Sequence, residues 1–94
     1  MDLHAATKVL RERVGTDSGL GATLKFDCGS EGIVVIDGND VTNDDRDANC
    51  TVSLSLDTLK RLLLRELDPM TAFMNGKIKV DGDMDVAMKL RHLI

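Results

Sequence analysis

Tryptophan and tyrosine are absent, and Phe26 and Phe73 are the only aromatic residues. Stacking of nucleic-acid bases or sugar rings on aromatic faces therefore has almost no material to work with. The core must be built from leucine, methionine, valine and isoleucine instead. Long hydrophobic runs are missing too: the longest purely apolar run, Ile33–Ile36, has four residues, far short of the roughly 20 that a membrane-spanning helix needs. The N-terminus, MDLHAATKVLRERV, has no apolar signal core and reads as a helix, which points to a cytoplasmic protein.

Cysteine is scarce, with Cys28 and Cys50 alone. Both fall in expected strands, and two cysteines do not make a disulfide framework, so buried free thiols are expected. His4 and His92 lie at opposite ends of the chain. That leaves no local ligand set for a metal and no local base for a cysteine nucleophile. Neither GxSxG nor a glycine-rich nucleotide fingerprint occurs. No catalytic residue, metal or cofactor is expected.

What is present suits one globular domain over residues 1–94, with 43% apolar and 30% charged residues. The net charge of -4 is concentrated in one place. Asp37, Asp40, Asp44, Asp45 and Asp47 are set against Arg46 alone, and such a field repels nucleic-acid phosphates.

Periodicity gives the elements. Leu3, Ala6, Leu10 and Val14 are spaced for a helix that stops at Gly15. GTDSGLG, residues 15–21, follows no strand and has no Lys-Ser/Thr pair, so it reads as a hinge and not as a phosphate loop. Ala22, Leu24, Phe26 and Cys28 alternate along a strand, and GIVVID is its hairpin partner. A short third strand is expected at Val41 within a polar loop, and ANCTVSLS is a fourth. Ser55 or Asp57 caps a helix carrying Leu59, Leu62, Leu63 and Leu67, with Leu64 off its main stripe. Asp68-Pro69 opens a short helix that ends at Gly76. A strand with Ile78 and Val80 inward follows, and Gly82 turns the chain. Asp83 then caps a last helix, MDVAMKLRHLI. The order α-β-β-β-β-α-α-β-α is that of an α+β domain.

Asp81, Asp83 and Asp85 alternate like the start of a calcium loop. Its sixth position is Val86 where glycine is needed, and its twelfth is His92 where glutamate is needed, so turn and cap roles explain these aspartates better. More informative are Met70, Met74, Met84 and Met88. Flexible, polarizable thioethers suit either irregular core filling or a deformable ligand cavity.

The stretch DPMTAFMNGKIKVDGDMDVAMKL, Asp68 to Leu90, resembles the signature of the sterol carrier protein 2 family. Asp68-Pro69, Ala72-Phe73-Met74, Gly76-Lys77, Ile78, Val80, Gly82 and Ala87-Met88-Lys89-Leu90 carry the likeness. Upstream, ANCTVSLSLDTLKRLL is similar to the family's fourth strand and following helix. The resemblance implies a five-stranded, mixed and mostly antiparallel sheet with helices on one face and an apolar cavity between them. It implies non-enzymatic binding and transfer of a hydrophobic ligand: a fatty acid, an acyl-CoA or a sterol-like lipid. Transferred to this chain, the lining would be Leu59, Leu63, Leu67, Phe73, Met74, Met84, Ala87, Met88 and Leu90. Gly76 would close the short helix, and a Cβ there would be expected to displace Met74. Lys77 and Lys89 could meet a carboxylate or phosphate at the cavity mouth. The family commonly carries a tryptophan near the position of Ile33, and His92-Leu93-Ile94 is not a peroxisomal address. These departures favour an acyl chain over a rigid sterol, in a stand-alone cytoplasmic protein of bacterial type. Transient membrane contact and self-association are compatible with this reading.

The competing reading is a protein-interaction or assembly module using an exposed methionine-rich groove. Placement separates the two. Leu64, Met70, Met84 and Ile94 turned inward around an enclosed void favour the carrier, and the same residues turned outward on one patch favour the module.

Overall fold

The computed structural model describes residues 2–15 and 19–94. The hinge expected at residues 15–21 therefore falls in part outside the described residues. Helix α1, Leu3–Val14, is capped by Asp2, whose side chain accepts from the Ala5 N–H at 2.8 Å. It ends at Gly15, at φ 60°, where a side chain would be strained. Its apolar stripe, Ala6, Leu10 and Val14, is buried.

Five strands follow: β1 Thr23–Asp27, β2 Ile33–Asp37, β3 Asp40–Thr42, β4 Cys50–Leu54 and β5 Ile78–Gly82. They form one sheet in the order β3-β2-β1-β4-β5. All neighbours are antiparallel except β1 and β4, which run parallel. The expected hairpin is β1–β2, with Phe26 opposite Val34 and Leu24 opposite Ile36. On the other side of β1 the parallel register sets Leu24 beside Cys50 and Phe26 beside Val52. Leu54 and Val52 then face Ile78 and Val80. Strict alternation puts all of these on one face. The helices cover that face with the stripes of α1 and α2, joined by Val86, Leu90, Leu93 and Ile94 from the C-terminal segment.

The opposite face is covered differently. Val35 is fully buried there although it lies outside the main core. The chain must return from β3 to β4 across β2 and β1, and residues 43–49 make that crossing. Asn43 donates to the Ile33 carbonyl at 2.9 Å, Asp45 pairs with Lys25, and Asn49 bonds Thr23 through both backbone and side chain. The acidic segment thus has a structural role as the strap over the back of the sheet. Arg46 bridges Asp37 at 3.6 Å and Asp40 at 3.1 Å. These pairs are exposed and add little stability.

Helix α2 spans Leu56–Leu63, with Ser55 and not Asp57 as its cap. It ends earlier than the leucine spacing predicts, so Leu67 lies beyond it. The stop is a Schellman motif closed by a non-glycine residue. Arg65 sits at φ 59°, its N–H donates to the Leu62 carbonyl at 3.1 Å, and the Glu66 N–H donates to the Arg61 carbonyl at 2.9 Å. Helix α3 is Pro69–Met74, with Asp68 accepting from the Thr71 N–H at 3.0 Å. Strand β5 runs on through Gly82, which therefore ends the strand instead of turning before it. The last expected helix divides into α4, Met84–Lys89, and a 3-10 turn over Leu90–His92. Among the described residues no helix is long and apolar enough to cross a membrane.

Candidate functional site

Strand β5 is a sheet edge, with α3 before it and α4 after it. Each of these helices has only six residues, too few to roof the edge completely. An apolar groove of about 260 Å³ remains between them. Its floor is Ile78, Val80 and Leu90. Pro69, Met70 and Phe73 from α3 form one wall, and Met84, Ala87 and Met88 from α4 form the other. Asp68 and Arg91 supply the polar rim. The four large rim side chains, Met70, Phe73, Met84 and Met88, are 45–62% exposed. The site is therefore an open groove, not an enclosed tunnel.

Gly82 sets the geometry of the α4 wall. At φ 105° its backbone lies so close to β4 that an added Cβ would fall 2.3 Å from the Asn49 carbonyl oxygen. The same oxygen accepts from the Asp83 N–H at 2.8 Å, and the Asp83 side chain caps α4 by accepting from the Asp85 N–H at 2.9 Å. Close approach, turn and cap together fix where Met84 and Met88 stand. Behind the groove, Arg13 of α1 joins the other two layers. Its guanidinium donates to the Leu93 carbonyl at 3.0 Å and to the Leu63 carbonyl, so it holds the segment after Leu90 against the end of α2. Burial, with the nearby Arg65 charge as second cause, lowers the Arg13 pKa from its usual value.

Of the nine residues expected to line the cavity, Phe73, Met84, Ala87, Met88 and Leu90 meet at the groove. Leu59 and Leu63 instead lie fully buried in the core, where α2 packs against α1. Leu67, past the end of α2, is half-buried against that core. Met74 stands 78% exposed outside the groove. Lys77 and Lys89 are exposed and do not line it. Gly76 takes φ 73° with open space around its missing Cβ, so its role is conformational, and a Cβ would meet nothing, Met74 included. Asp68, Pro69, Met70, Ile78, Val80 and Arg91 are the lining residues that sequence reasoning did not place. The strand pair looked like ordinary core, and only the sheet order reveals it as an edge.

A second cleft, of about 500 Å³, lies at the start of α2. It is larger, but Ser30, Glu31, Ser55, Asp57 and Lys60 make its wall polar, which suits an apolar ligand poorly. Cys28 reaches it. Burial first, then Asp27 and Glu31, pushes that thiol up to about 11, so the nucleophilic thiolate is scarce at neutral pH. Cys50 is raised as well, by burial and then by Asp83 and Asp81. Both cysteines are free and buried. Neither cavity is lined by histidine. Among the described residues no group of three or more His, Cys, Asp or Glu could hold a metal ion.

A mixed five-stranded sheet, helices on one face and an apolar groove at the last strand define an α+β domain with a site for a hydrophobic molecule. The chain belongs to the SCP-2 sterol transfer family, whose pattern matches residues 3–94. Sterol carrier protein 2 of Bos taurus is 37% identical over 70 residues, covering 69% of this chain. The match spans only 13% of that protein's length. The crystal structure of a sterol carrier protein 2-like protein from Aedes aegypti has a TM-score of 0.82 at 21% identity, covering 98% of this chain and 95% of that one. The solution structure of sterol carrier protein domain 2 of Helicoverpa armigera has a TM-score of 0.70 at 28% identity, covering 89% and 78%. The fold expected from the sequence is the one observed, and the family is one of non-enzymatic lipid-transfer proteins, in line with the absence of enzymatic activity expected from the sequence. These relatives are animal, and the bacterial source expected above gains no support from them.

Proposed function

We propose that this domain binds a single fatty acyl chain, free or thioesterified, along the groove between α3, α4 and β5, and carries it through water. The observation that carries the reading is the chemistry of the lining. Nine apolar side chains surround about 260 Å³, just under the roughly 300–1,000 Å³ of drug-sized ligand pockets. A narrow groove walled by three mobile methionines suits a flexible chain better than a rigid ring system. Arg91 at the rim offers a charge-assisted bond to a carboxylate or phosphate head. Sterol carrier protein 2 of Bos taurus is named for another apolar cargo, and sterol is the alternative ligand. A cytoplasmic site of action is part of the same proposal.

The interaction-module reading has one observation in its favour. Leu64, Met70 and Met84 point outward, and only Ile94 of the four discriminating residues is buried. Native mass spectrometry of protein purified from its own cells, followed by lipid extraction, separates the two readings. Stoichiometric fatty acid or acyl-CoA is the expected result. An empty protein that binds nothing across a panel of fatty acids, acyl-CoAs and sterols contradicts it.

A further inference from the structure

Sulfur atoms converge on the groove from both walls. Met70 of α3 and Met84 and Met88 of α4 line it, so a chain lying on Ile78, Val80 and Leu90 passes between thioethers. Leucine would fill much the same volume. A thioether adds a lone pair that a peroxide can oxidise, and the sulfoxide so formed is returned to the thioether by reductases. Competing reductants are kept away from this place. Tryptophan and tyrosine are absent. Both cysteines are free and buried, and neither lines the groove. Burial raises the pKa of both thiols, which leaves little of the thiolate that reacts with peroxides. The methionines are the opposite case, since Met70, Met84 and Met88 are 59%, 51% and 62% exposed. Among the described residues, the sulfur that is both reachable and readily oxidised is therefore on α3 and α4.

We propose that the groove reduces acyl hydroperoxides: a bound chain carrying an –OOH group gives its terminal oxygen to the sulfur of Met70, Met84 or Met88. The sulfur lone pair attacks that oxygen, and an S–O bond forms as the O–O bond breaks. The departing alkoxide takes a proton from water at the open rim, and the proton on the transferred oxygen returns to water. Sulfur is oxidised by two electrons to the sulfoxide, and the hydroperoxide is reduced to the alcohol. No other oxidant or reductant enters. Each methionine reacts once, so the protein is a stoichiometric reductant until a sulfoxide reductase restores it. Binding supplies rate, because it holds peroxide and sulfur together in place of a slow encounter in dilute solution. A sulfoxide also puts a polar group into an apolar lining, so oxidation weakens the hold on the chain and releases the alcohol. The choice of substrate rests on the acyl-chain reading above, and the chemistry rests on the sulfurs gathered at one groove.

Met74 is an internal control, because it is 78% exposed on α3 but stands outside the groove. The protein is treated with hydrogen peroxide, or with linoleic acid hydroperoxide below its micelle concentration, and sulfoxide is mapped residue by residue by mass spectrometry. Hydrogen peroxide reaches sulfur according to exposure, so Met74 is expected to oxidise first. With the lipid hydroperoxide the order is expected to invert. The groove methionines then react about tenfold faster than Met74, and one hydroxy acid appears for each sulfoxide. Met74→Leu is expected to leave hydroxy-acid formation unchanged. Met74 leading with both oxidants overturns the proposal, as does hydroxy acid formed without sulfoxide at the groove, or no reaction at all. Binding of unoxidised linoleate, measured alongside, keeps the two readings apart. Linoleate bound while the hydroperoxide leaves the groove sulfurs intact removes this activity and leaves the proposed function standing. An inverted order without linoleate binding does the reverse.

Discussion

Single residues carry the local geometry of the groove, and two glycines show how differently the same residue type can act. Gly82 is constrained twice, by φ 105° and by the Asn49 carbonyl oxygen at 2.3 Å from a built Cβ. Gly82→Ala is expected to cost about 3 kcal/mol in denaturant unfolding, because backbone must move as well as twist. Gly76 is constrained only by φ 73°, with nothing near its missing Cβ, so Gly76→Ala is expected to cost about 1 kcal/mol. Equal losses at the two positions would refute the close-approach account of Gly82. The buried thiol of Cys28 gives a pH signature. Its acid form is favoured by the fold, since its pKa rises from 9.0 to about 11. The native state therefore holds its proton more tightly than the unfolded chain. That contribution is complete below pH 9.0, and it is lost as pH rises through about 11. Unfolding free energy measured across this window is expected to fall, and Cys28→Ser is expected to fall less.

At the scale of elements, the end of α2 is a point where local sequence and structure part company. Leu59, Leu62, Leu63 and Leu67 share helical spacing, yet the helix stops at Leu63 because Arg65 adopts the left-handed conformation. No glycine marks the stop, so spacing alone extends the helix too far. Arg65→Gly is expected to raise stability by about 1 kcal/mol. It removes a strained side chain and a like charge near Arg13, and thermal unfolding measures the gain. A lowered midpoint would mean that the Arg65 side chain makes a contact worth more than the strain. Elsewhere the caps and alternations in the sequence locate the elements closely: Ser55, Asp68 and Asp83 cap the helices they precede, and the buried face of β1 is the one its alternation predicts. Alternation also turns Ile78 and Val80 toward the core face. What it cannot encode is that β5 is the edge, with two short helices beside it. For that reason the strand part of the groove floor, Ile78 and Val80, was not legible, while Phe73, Met84, Ala87, Met88 and Leu90 were named through the family signature. Leu59 and Leu63 were placed at the cavity by the same signature, but helix packing against α1 takes them into the core.

For the molecule as a whole, the arrangement is a division of labour across the sheet. The β3 half carries the acidic strap, which is tied to β1 through Asp45 and Lys25 and makes the crossover to β4. The β5 half carries the open groove and nearly every exposed large apolar side chain. Burying those side chains in place of an open groove would have enlarged a small core. Their exposure is the feature that the acyl-chain account explains.

Methionine methyl resonances test that account most directly, because four of the chain's five methionines stand on α3 and α4 and divide cleanly by position. Met70, Met84 and Met88 line the groove, and Met74 does not. In a lipid-free titration with palmitate, the methyl signals of the three lining methionines are expected to shift together and saturate at one equivalent, with Met74 unmoved. Saturation without movement of the lining methyls, or movement of Met74 alone, would contradict the claim that the groove holds the chain.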